Sequence, residues 1–423
     1  MTYHVLKEGI ILKSQKYLES KKLSIILLLS IFLLYAVVYM TKNVFSSAMA
    51  SIVEEGFMTK SQTGLINAVF WFVYAPFQIV GGFAADKYSP YKLILIGLIG
   101  GLISNIIIYF NQSYTVIIAA WSFNAIAQFA LWPGVFKVVS TQTTPSIRGV
   151  AVFWLMFSTS VGLGMSMLVA SFVKHWQQNF LVSIVVLFVT IVSFAILYPQ
   201  LEKKMTVKES KEIETKKETR KVPMKPLMFS SGLIMFLIVC LFRSSIDNGI
   251  KMMTPVMIME SYANIPAAIA TRMSTVLVIF SAIGLLIAGF MKSNITENEP
   301  KAQIILMGIS VPLLLIVCFV GKLNYLWILA ALSLATALIH GAAPFGQSYI
   351  ALRFDKLSRI GTVSGILNAT ASVGNILASY VFARMAELMP WRMVTAGWLL
   401  VIIVCILLCA SVYKRWTRFI KNK

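Results

Sequence analysis

Twelve long apolar runs, separated by short polar loops, are the feature that most constrains the fold of this 423-residue chain. A helix of about 20 apolar residues crosses the hydrocarbon core of a bilayer. Only 13% of the residues are charged and the mean hydropathy is +0.81, which excludes an ordinary soluble domain. The sequence predicts an all-α membrane protein with twelve transmembrane spans, numbered 1 to 12 here and lying near 23–50, 62–84, 91–110, 114–140, 148–173, 179–199, 227–257, 267–291, 302–320, 323–350, 359–386 and 391–413.

One long polar segment divides the spans into two sets of six. It runs from Leu201 to Pro226 and carries nine Lys/Arg and five Glu, so we interpret it as a solvated linker. The predicted domains are a leader (1–22), an N-terminal six-helix bundle (23–200), the linker (201–226), a C-terminal six-helix bundle (227–413) and a basic tail (414–423). The leader is interpreted either as a short interfacial helix or as a disordered segment.

The two halves resemble each other in sequence. Arg148-Gly149, leading to Ser160-Val161-Gly162, recurs as Ile360-Gly361, leading to Ser372-Val373-Gly374, at a constant offset of 212 residues. Two related six-helix halves with a binding site near the middle of the bilayer are a known transporter plan. The repeat therefore predicts pseudo-symmetric halves, with spans 1, 4, 7 and 10 lining a central cavity.

The basic residues predict the orientation of the chain. The net charge is +21, which in a soluble protein would suggest a nucleic-acid partner. Here 27 of the 37 Lys/Arg lie in the termini, the linker and the loops on one side, and only six lie in the loops on the other side. By the positive-inside rule, both termini face the cytoplasm. We expect a multi-pass protein of the cell membrane, a monomer whose macromolecular surroundings are the lipid bilayer and not nucleic acid.

Several function classes lack their motifs. The four cysteines lie in apolar runs without the spacing of a disulfide framework or a zinc site, and three histidines form no metal motif. The chain has no Walker phosphate loop and no nucleophile–base pattern. We therefore expect no metal, no cofactor and no enzymatic activity.

Span 1 carries a positive charge at membrane depth. Tyr35, Tyr39 and Lys42 share one helix face, and no acid precedes Lys42 in its run. A lysine there costs about 2.5–3.5 kcal/mol on insertion scales, so such a side chain normally faces a wet cavity. The stripe suits half of an anion site. The alternative is that Lys42 extends to the headgroups or pairs with an acid on another helix.

Span 7 carries a second charged stripe. Arg243, Asp247 and Lys251 recur at i, i+4 and i+8 on one helix face, and Asp247 can neutralise one neighbour. With Lys42 and with Lys137 of span 4, the spans hold four bases and this one acid on the predicted cavity faces. A surplus of three positive charges favours an anionic substrate. Of the span-7 bases, Arg243 is the preferred substrate contact, while His340 of span 10 either lines the cavity or packs against backbone.

The loop after span 2 has a recognisable pattern. Gly82 is followed by Asp86, Lys87 and, after a proline, Lys92. This loop resembles the signature loop of the major facilitator superfamily, in which it gates the inner side of the transporter. Gly82 lets two helices approach closely, and Lys87 and Lys92 anchor the inner face. Asp86 can either accept from helix N-terminal amides or pair with a basic residue of a neighbouring helix.

A closer resemblance covers residues scattered over most of the chain. Tyr35, Tyr39, Lys42 and Glu54-Glu55-Gly56-Phe57 are similar to the first helix and outer loop of the organophosphate:phosphate antiporters. Further matches are Tyr74 in span 2, Trp132-Pro133 with Lys137 in span 4, and Ile360-Gly361-Thr362 with Val373-Gly374 in span 11. The resemblance implies exchange of a phosphorylated sugar or polyol for inorganic phosphate by rocking of the two halves.

The chain departs from that family's pattern at its phosphate clamp. The family's first cavity arginine is Lys42 here, which offers a point charge and not a bidentate fork. Its second arginine, on span 7, aligns with Asp247, and the nearest arginine is Arg243, one turn earlier. A span-5 histidine is replaced by Thr159 and a span-2 lysine by Gln78.

We therefore expect a secondary transporter of a small organic anion. Lys42 and Arg243 are expected to bind the phosphoryl group, with Tyr35, Tyr39 and Tyr74 donating hydrogen bonds and with Lys137 and Lys251 as further bases. Asp247 and His340 are the expected charge partners or coupling groups. Alternatives are a proton-coupled symporter of a sugar acid or other organic anion, and a sensor that binds its ligand without transporting it.

Overall fold

Helices dominate the chain, as the apolar runs predict. The computed structural model describes residues 3–5, 11–212, 228–229, 231–354 and 360–421. Eleven helical segments of these residues are long and apolar enough to cross a membrane. A further helix of 28 residues, Lys60–Lys87, lies where span 2 is predicted. Each of the twelve predicted spans thus corresponds to a helical segment, and the fold is an all-α membrane fold.

Seventeen α-helices build these segments among the described residues. They are α1 (Lys21–Lys42), α2 (Val44–Glu54), α3 (Lys60–Lys87), α4 (Pro90–Phe110), α5 (Tyr114–Ala127), α6 (Leu131–Gln142), α7 (Arg148–Phe172), α8 (Gln178–Glu202), α9 (Leu233–Ser261), α10 (Ala267–Ser274), α11 (Val276–Asn294), α12 (Glu299–Val317), α13 (Tyr325–Gly341), α14 (Ala343–Gly346), α15 (Ser348–Leu352), α16 (Ile360–Leu388) and α17 (Trp391–Lys421). Short 3₁₀ helices cover Gln128–Ala130 and Pro145–Ile147.

A small antiparallel sheet joins the leader to the linker. Its strands are β1 (Tyr3–Val5), β2 (Ile11–Tyr17) and β3 (Thr206–Glu212), in the order β1-β2-β3. Ile11 pairs with Glu212 and Tyr17 with Thr206. The prediction of an interfacial helix or a disordered segment in the leader is wrong for these residues, because β3 of the linker supplies a hydrogen-bonding edge that the leader sequence does not reveal. Residues 213–226 of the linker lie outside the described residues.

Span 1 is broken inside its apolar run. α1 ends at Lys42, and Asn43 separates it from α2. The Asn43 side chain donates from Nδ2 to the carbonyl oxygen of Tyr39 at 2.7 Å, while its backbone N–H bonds to the carbonyls of Tyr39 and Met40. Asparagine competes in this way with the regular helix ladder. The break therefore falls directly beside the buried lysine.

The residues divide by their contacts into two compact units. Unit 1 contains 1–44, 76–166 and 177–219, and unit 2 contains 45–75, 167–176 and 220–423. The unit 1 core packs residues such as Leu34, Val135 and Leu187. The unit 2 core is built from residues such as Val256 and Leu332. The division into bundles at 23–200 and 227–413 stays a prediction.

Equivalent glycines of the sequence repeat make equivalent helix contacts. In unit 1, a Cβ on Gly162 would overlap the carbonyl oxygen of Ala36, so span 5 touches the backbone of span 1. In unit 2, a Cβ on Gly374 would overlap the carbonyl oxygen of Leu241, so span 11 touches the backbone of span 7. Small residues permit this close approach of helices in membranes. The 212-residue repeat thus has a structural counterpart.

A second pair of glycines follows the same rule. Gly81 of α3 lies against the carbonyl oxygen of Phe129 in unit 1, and Gly284 of α11 lies against that of Ala337 in unit 2. The first contact joins spans 2 and 4, and the second joins spans 8 and 10. Both halves of the sequence therefore use backbone contact between the same two members of their six spans.

We expect Gly374→Ala to destabilise the protein. The added methyl group collides with a backbone oxygen that cannot rotate away, and such overpacking costs about 1–3 kcal/mol. The matched control is Gly308→Ala in α12, where an added Cβ meets no atom within 4 Å. Thermal unfolding in detergent should show a lower Tm for the first variant only. Equal Tm values for both variants would contradict the close packing at Gly374.

Candidate functional site

Unit 1 holds an aromatic cluster with a cation at the end of α1. The rings of Tyr35 and Tyr39 have centroids 5.4 Å apart, and Tyr35 also lies 5.4 Å from the Trp132 ring. The ammonium of Lys42 is 5.6 Å from the centroid of the Tyr39 ring, a cation–π distance. Lys42 is only 7% exposed, so the alternative in which it extends to the headgroups does not describe this conformation.

Lys42 is the last residue of α1 and lies beside the one-residue interruption at Asn43. Tyr35, Tyr39 and Lys42 are brought together as the face pattern predicts, and Trp132 joins them.

Lys137 makes a different set of contacts from those expected of a substrate ligand. Its ammonium donates to the carbonyl oxygen of Ala85 and lies 3.5 Å from that of Tyr88. These carbonyls belong to the end of α3 and to the loop that follows it. A lysine at this position satisfies carbonyl groups that the helix leaves unpaired. In this conformation Lys137 thus caps α3.

Tyr74 lies in an aromatic group of α3 in unit 2. Its ring stacks on Phe70 with centroids 5.6 Å apart and meets Trp71 edge-on at 5.9 Å. The side chain is 3% exposed. Tyr74 and the Lys42 cluster belong to different units, and Tyr74 stays a predicted site residue.

Three charged or titratable side chains form a compact triad in unit 2. Asp247 accepts an ion-pair contact from Lys251 at 2.8 Å through Oδ1, and its Oδ2 lies 2.8 Å from His340 Nδ1. The Lys251 ammonium is also 3.2 Å from His340 Nδ1. All three side chains are at least three-quarters buried. With His340 neutral the triad has no net charge, so Lys251 is already neutralised by Asp247.

Arg243 stands one turn before this triad on α9. Its guanidinium donates from Nη2 to Ser244 Oγ at 2.9 Å. Nε and Nη1 are buried and have no hydrogen-bond partner among the described residues, and the residue is 2% exposed. A buried guanidinium with unused donors is costly unless an acceptor reaches it. Arg243 is thus the uncompensated charge of this stripe.

The structure describes part of the predicted gating loop. α3 ends at Lys87, and Pro90 is the first residue of α4. Lys87 and Lys92 are exposed, as anchors of a membrane face are expected to be. The side chain of Asp86, and Gly82, lie outside the described side chains.

Three features of these clusters are not predicted by the sequence. The repeat of Arg243, Asp247 and Lys251 predicts an acid–base pair on α9 but not which base it uses. His340 is 93 residues from Asp247, and its sequence context gives no signal for the pairing. The sequence also gives no signal that the Lys137 side chain contacts the end of α3, because this contact depends on how α3 and α6 pack.

The chain matches the model of a known protein family. The model of the Major Facilitator Superfamily matches residues 31–341, which is most of the sequence. The chain belongs to the Major Facilitator Superfamily. Membership of this family makes it a multi-pass membrane protein of a transporter superfamily, and not an enzyme.

The curated relatives match over about a third of the chain. A probable hexose phosphate transport protein of Chlamydia trachomatis is 29% identical over 135 residues, 32% of this chain and 29% of that protein. The membrane sensor protein UhpC of Salmonella typhimurium is 28% identical over 138 residues, 33% of this chain and 31% of that protein. A probable sulfoacetate transporter, SauU, of Cupriavidus necator is 42% identical over 71 residues, 16% of each chain. These relatives place the chain near the organophosphate:phosphate antiporter group.

Solved structures agree with the fold. A bacterial homolog of the human lysosomal transporter Spinster superposes with a TM-score of 0.73 at 14% identity, covering 95% of this chain and 99% of that one. The nucleoside transporter NupG gives a TM-score of 0.71 at 12% identity, covering 92% and 100%. At these identities the likeness concerns the fold alone.

We expect Asp247→Asn to destabilise the protein because Lys251 would be left buried without its anion. Breaking a buried pair typically costs about 3–5 kcal/mol. The double variant Asp247→Asn with Lys251→Met removes both charges and should regain most of the lost Tm. A single variant with an unchanged Tm, or a double variant no better than the single one, would contradict the pairing.

Proposed function

We propose that this transporter carries a small organic anion, most specifically a phosphorylated sugar or polyol, in exchange for inorganic phosphate. Exchange proceeds by alternating access in the cytoplasmic membrane, with both termini on the cytoplasmic side. Arg243 and Lys42 bind the phosphoryl group, and Tyr35, Tyr39 and Tyr74 donate hydrogen bonds to it or to the carbon skeleton. Lys137 contributes positive potential, while the charge of Lys251 is neutralised by Asp247.

The buried guanidinium of Arg243 is the observation that carries the proposal. Two of its donor atoms are unused by the described residues, and the only acid of its stripe is engaged by Lys251 and His340. Guanidinium groups present parallel donors that match the oxygens of a phosphoryl or sulfonyl group. An anionic substrate supplies the missing acceptors and removes the cost of the buried charge.

Lys42 contributes a second cation of a different kind. Its ammonium is a compact point charge, held at the C-terminal end of α1 beside the face of Tyr39. The Tyr35 and Tyr39 rings flank it with hydroxyl groups that can donate to oxygen. We assign it the attraction of the anion and assign Arg243 the orientation of the anion.

The relatives support an anionic substrate class. Hexose phosphates and sulfoacetate, which appear in the names of two relatives, both carry a tetrahedral, negatively charged oxygen-rich group. The matched segments are short, about a third of the curated transport protein at most. The preference for a phosphoryl group over a sulfonyl or carboxyl group is accordingly our proposal.

A proton-coupled symporter of an organic anion is the second candidate. The observation that favours it is the 2.8 Å contact between His340 Nδ1 and Asp247 Oδ2. An imidazole bonded to a carboxylate can take up and release a proton as its surroundings change. Under this candidate, His340 or Asp247 carries the coupling proton.

A ligand sensor is the third candidate, since one relative is named as a membrane sensor protein. A sensor would bind a hexose phosphate in purified form and would show no counterflow after reconstitution. Counterflow of any anion in phosphate-loaded vesicles contradicts this candidate.

We expect Arg243→Gln to weaken binding of a hexose phosphate by about 10- to 100-fold, the cost of losing charged hydrogen bonds. Lys42→Ala should have a similar effect and abolish transport, while both proteins stay folded. Isothermal titration calorimetry of the detergent-purified protein measures the dissociation constants.

The matched control is Lys322→Gln, which removes one exposed positive charge far along the sequence from both sites. It should bind as the parent protein does. Normal affinity in Arg243→Gln would remove Arg243 from the site, and near-normal transport in Lys42→Ala would remove Lys42.

The energy source that drives uptake distinguishes phosphate exchange from proton-coupled symport. Exchange predicts that uptake of labelled hexose phosphate requires phosphate inside the vesicles and persists when an uncoupler is added, because no proton gradient drives it. Proteoliposomes with and without internal phosphate provide the test. Uptake that persists without internal phosphate and collapses with an uncoupler would favour symport and contradict exchange.

A further inference from the structure

The last helix, α17, is longer than a membrane crossing requires. It runs from Trp391 to Lys421, 31 residues in all, which corresponds to about 46 Å of helix. The hydrocarbon core of a bilayer is only about 30 Å thick. Since the predicted span 12 ends near residue 413, the last two turns of α17 extend into the headgroup layer on the predicted cytoplasmic side.

One face of these last turns is fixed to the rest of unit 2. Trp416 is completely buried, and its indole donates to Glu299 at 2.8 Å. Glu299 is 1% exposed and also accepts from Arg353 Nε at 2.6 Å. The Phe236 ring of α9 packs against Trp416 with centroids 4.8 Å apart. These contacts fix the rotation of α17 about its own axis, so the opposite face has a defined direction.

The opposite face is basic and exposed. Lys414, Arg418 and Lys421 recur at i, i+4 and i+7, which places them together on the side of the helix away from Trp416. Among the described residues, none forms an ion pair or a hydrogen bond with these three charged groups. α17 contains no acidic residue. The face therefore presents three positive charges without a counter-charge.

The same face is apolar and exposed nearer the middle of the predicted span. Leu400 and Leu407 are 62% and 63% exposed. Leu400, Leu407, Lys414 and Lys421 follow one another at intervals of seven residues, which is about two helical turns. They therefore form one continuous stripe on the surface of α17, which changes from apolar to basic at the predicted edge of the hydrocarbon core.

A phospholipid has its chemical groups in the same order as this stripe. Seven residues of helix correspond to about 10 Å, and one leaflet contributes about 15 Å of hydrocarbon. A lipid whose phosphate meets Lys414 therefore has its acyl chains beside Leu407. A soluble anion would match only the basic part of the stripe, and a nucleic acid would leave the leucines without an apolar partner.

We propose that this stripe of α17 binds an anionic phospholipid of the predicted cytoplasmic leaflet. The lipid phosphate accepts hydrogen bonds from Lys414 and Arg418, and Lys421 adds a third positive charge. The acyl chains lie along Leu407 and Leu400. The headgroup carries a net negative charge because the protein supplies no acid to balance the three cations, and basic residues beside a span attract anionic headgroups.

Native mass spectrometry of the detergent-purified full chain tests the proposal. Phosphatidylglycerol and phosphatidylcholine with identical acyl chains are added separately, and the dissociation constant of the first bound lipid is measured for each. The test variant combines Lys414→Gln, Arg418→Gln and Lys421→Gln. The matched control combines Lys21→Gln, Lys203→Gln and Lys204→Gln, which removes three exposed positive charges from the same predicted side of the membrane.

We expect the parent protein to bind phosphatidylglycerol more tightly than phosphatidylcholine. The test variant should bind phosphatidylglycerol about 10- to 100-fold more weakly, because each basic residue beside the membrane contributes to the attraction. Its affinity for phosphatidylcholine should stay at the parent value. The control should bind both lipids as the parent protein does.

Parent-like affinity for phosphatidylglycerol in the test variant overturns the proposal. An equal loss in the control also overturns it, since the attraction would then come from the total charge and not from α17. A lipid-free dimer in the same spectra would assign the stripe to a second copy of the chain and contradict the lipid site.

The single glutamine variants decide if thermal melting shows that the triple variant is unfolded. Each should lose part of the affinity for phosphatidylglycerol, and parent-like affinity in all three contradicts the proposal. Because the assay contains no transported solute, its failure leaves the substrate proposal untouched.

Discussion

An uncompensated guanidinium inside an apolar helix is the constraint on which the account rests. Arg243 is buried, and two of its donors are unused by the described residues. The nearby acid cannot neutralise it fully because Asp247 is held by Lys251 and His340. A charge in this position is expensive for folding, so its retention is best explained by a ligand that supplies the opposite charge.

The two halves repeat the same helix packing around the two cations of the proposed site. Gly162 and Gly374 let spans 5 and 11 touch the backbones of spans 1 and 7, the two spans that carry Lys42 and Arg243. Each cation is thereby fixed within its own unit. Polar contacts also join the two halves of the sequence inside unit 2, since Glu54 accepts from the backbone N–H of Ala267 and Glu260 pairs with the Lys60 ammonium.

The sequence predicts where the helices lie and which residues share a helix face. It does not predict the contacts between segments that are distant in the sequence. Run length and helical spacing place Tyr35, Tyr39 and Lys42 on one stripe, and the structure brings them together. The role of Lys137 depends on the carbonyl of Ala85, an acceptor that no side-chain pattern reveals. The pairing of the leader with β3 is also not predicted, because backbone hydrogen bonds leave little trace in composition.

Counterflow is the measurement that tests the anion-carrier account most directly. Purified protein is reconstituted into vesicles loaded with inorganic phosphate, and a panel of labelled solutes is offered outside: a hexose phosphate, a sulfonate, a sugar acid and an uncharged sugar. The account predicts rapid entry of the hexose phosphate, with the uncharged sugar excluded. Entry of the uncharged sugar at an equal rate, or entry of no anion at all, would contradict it.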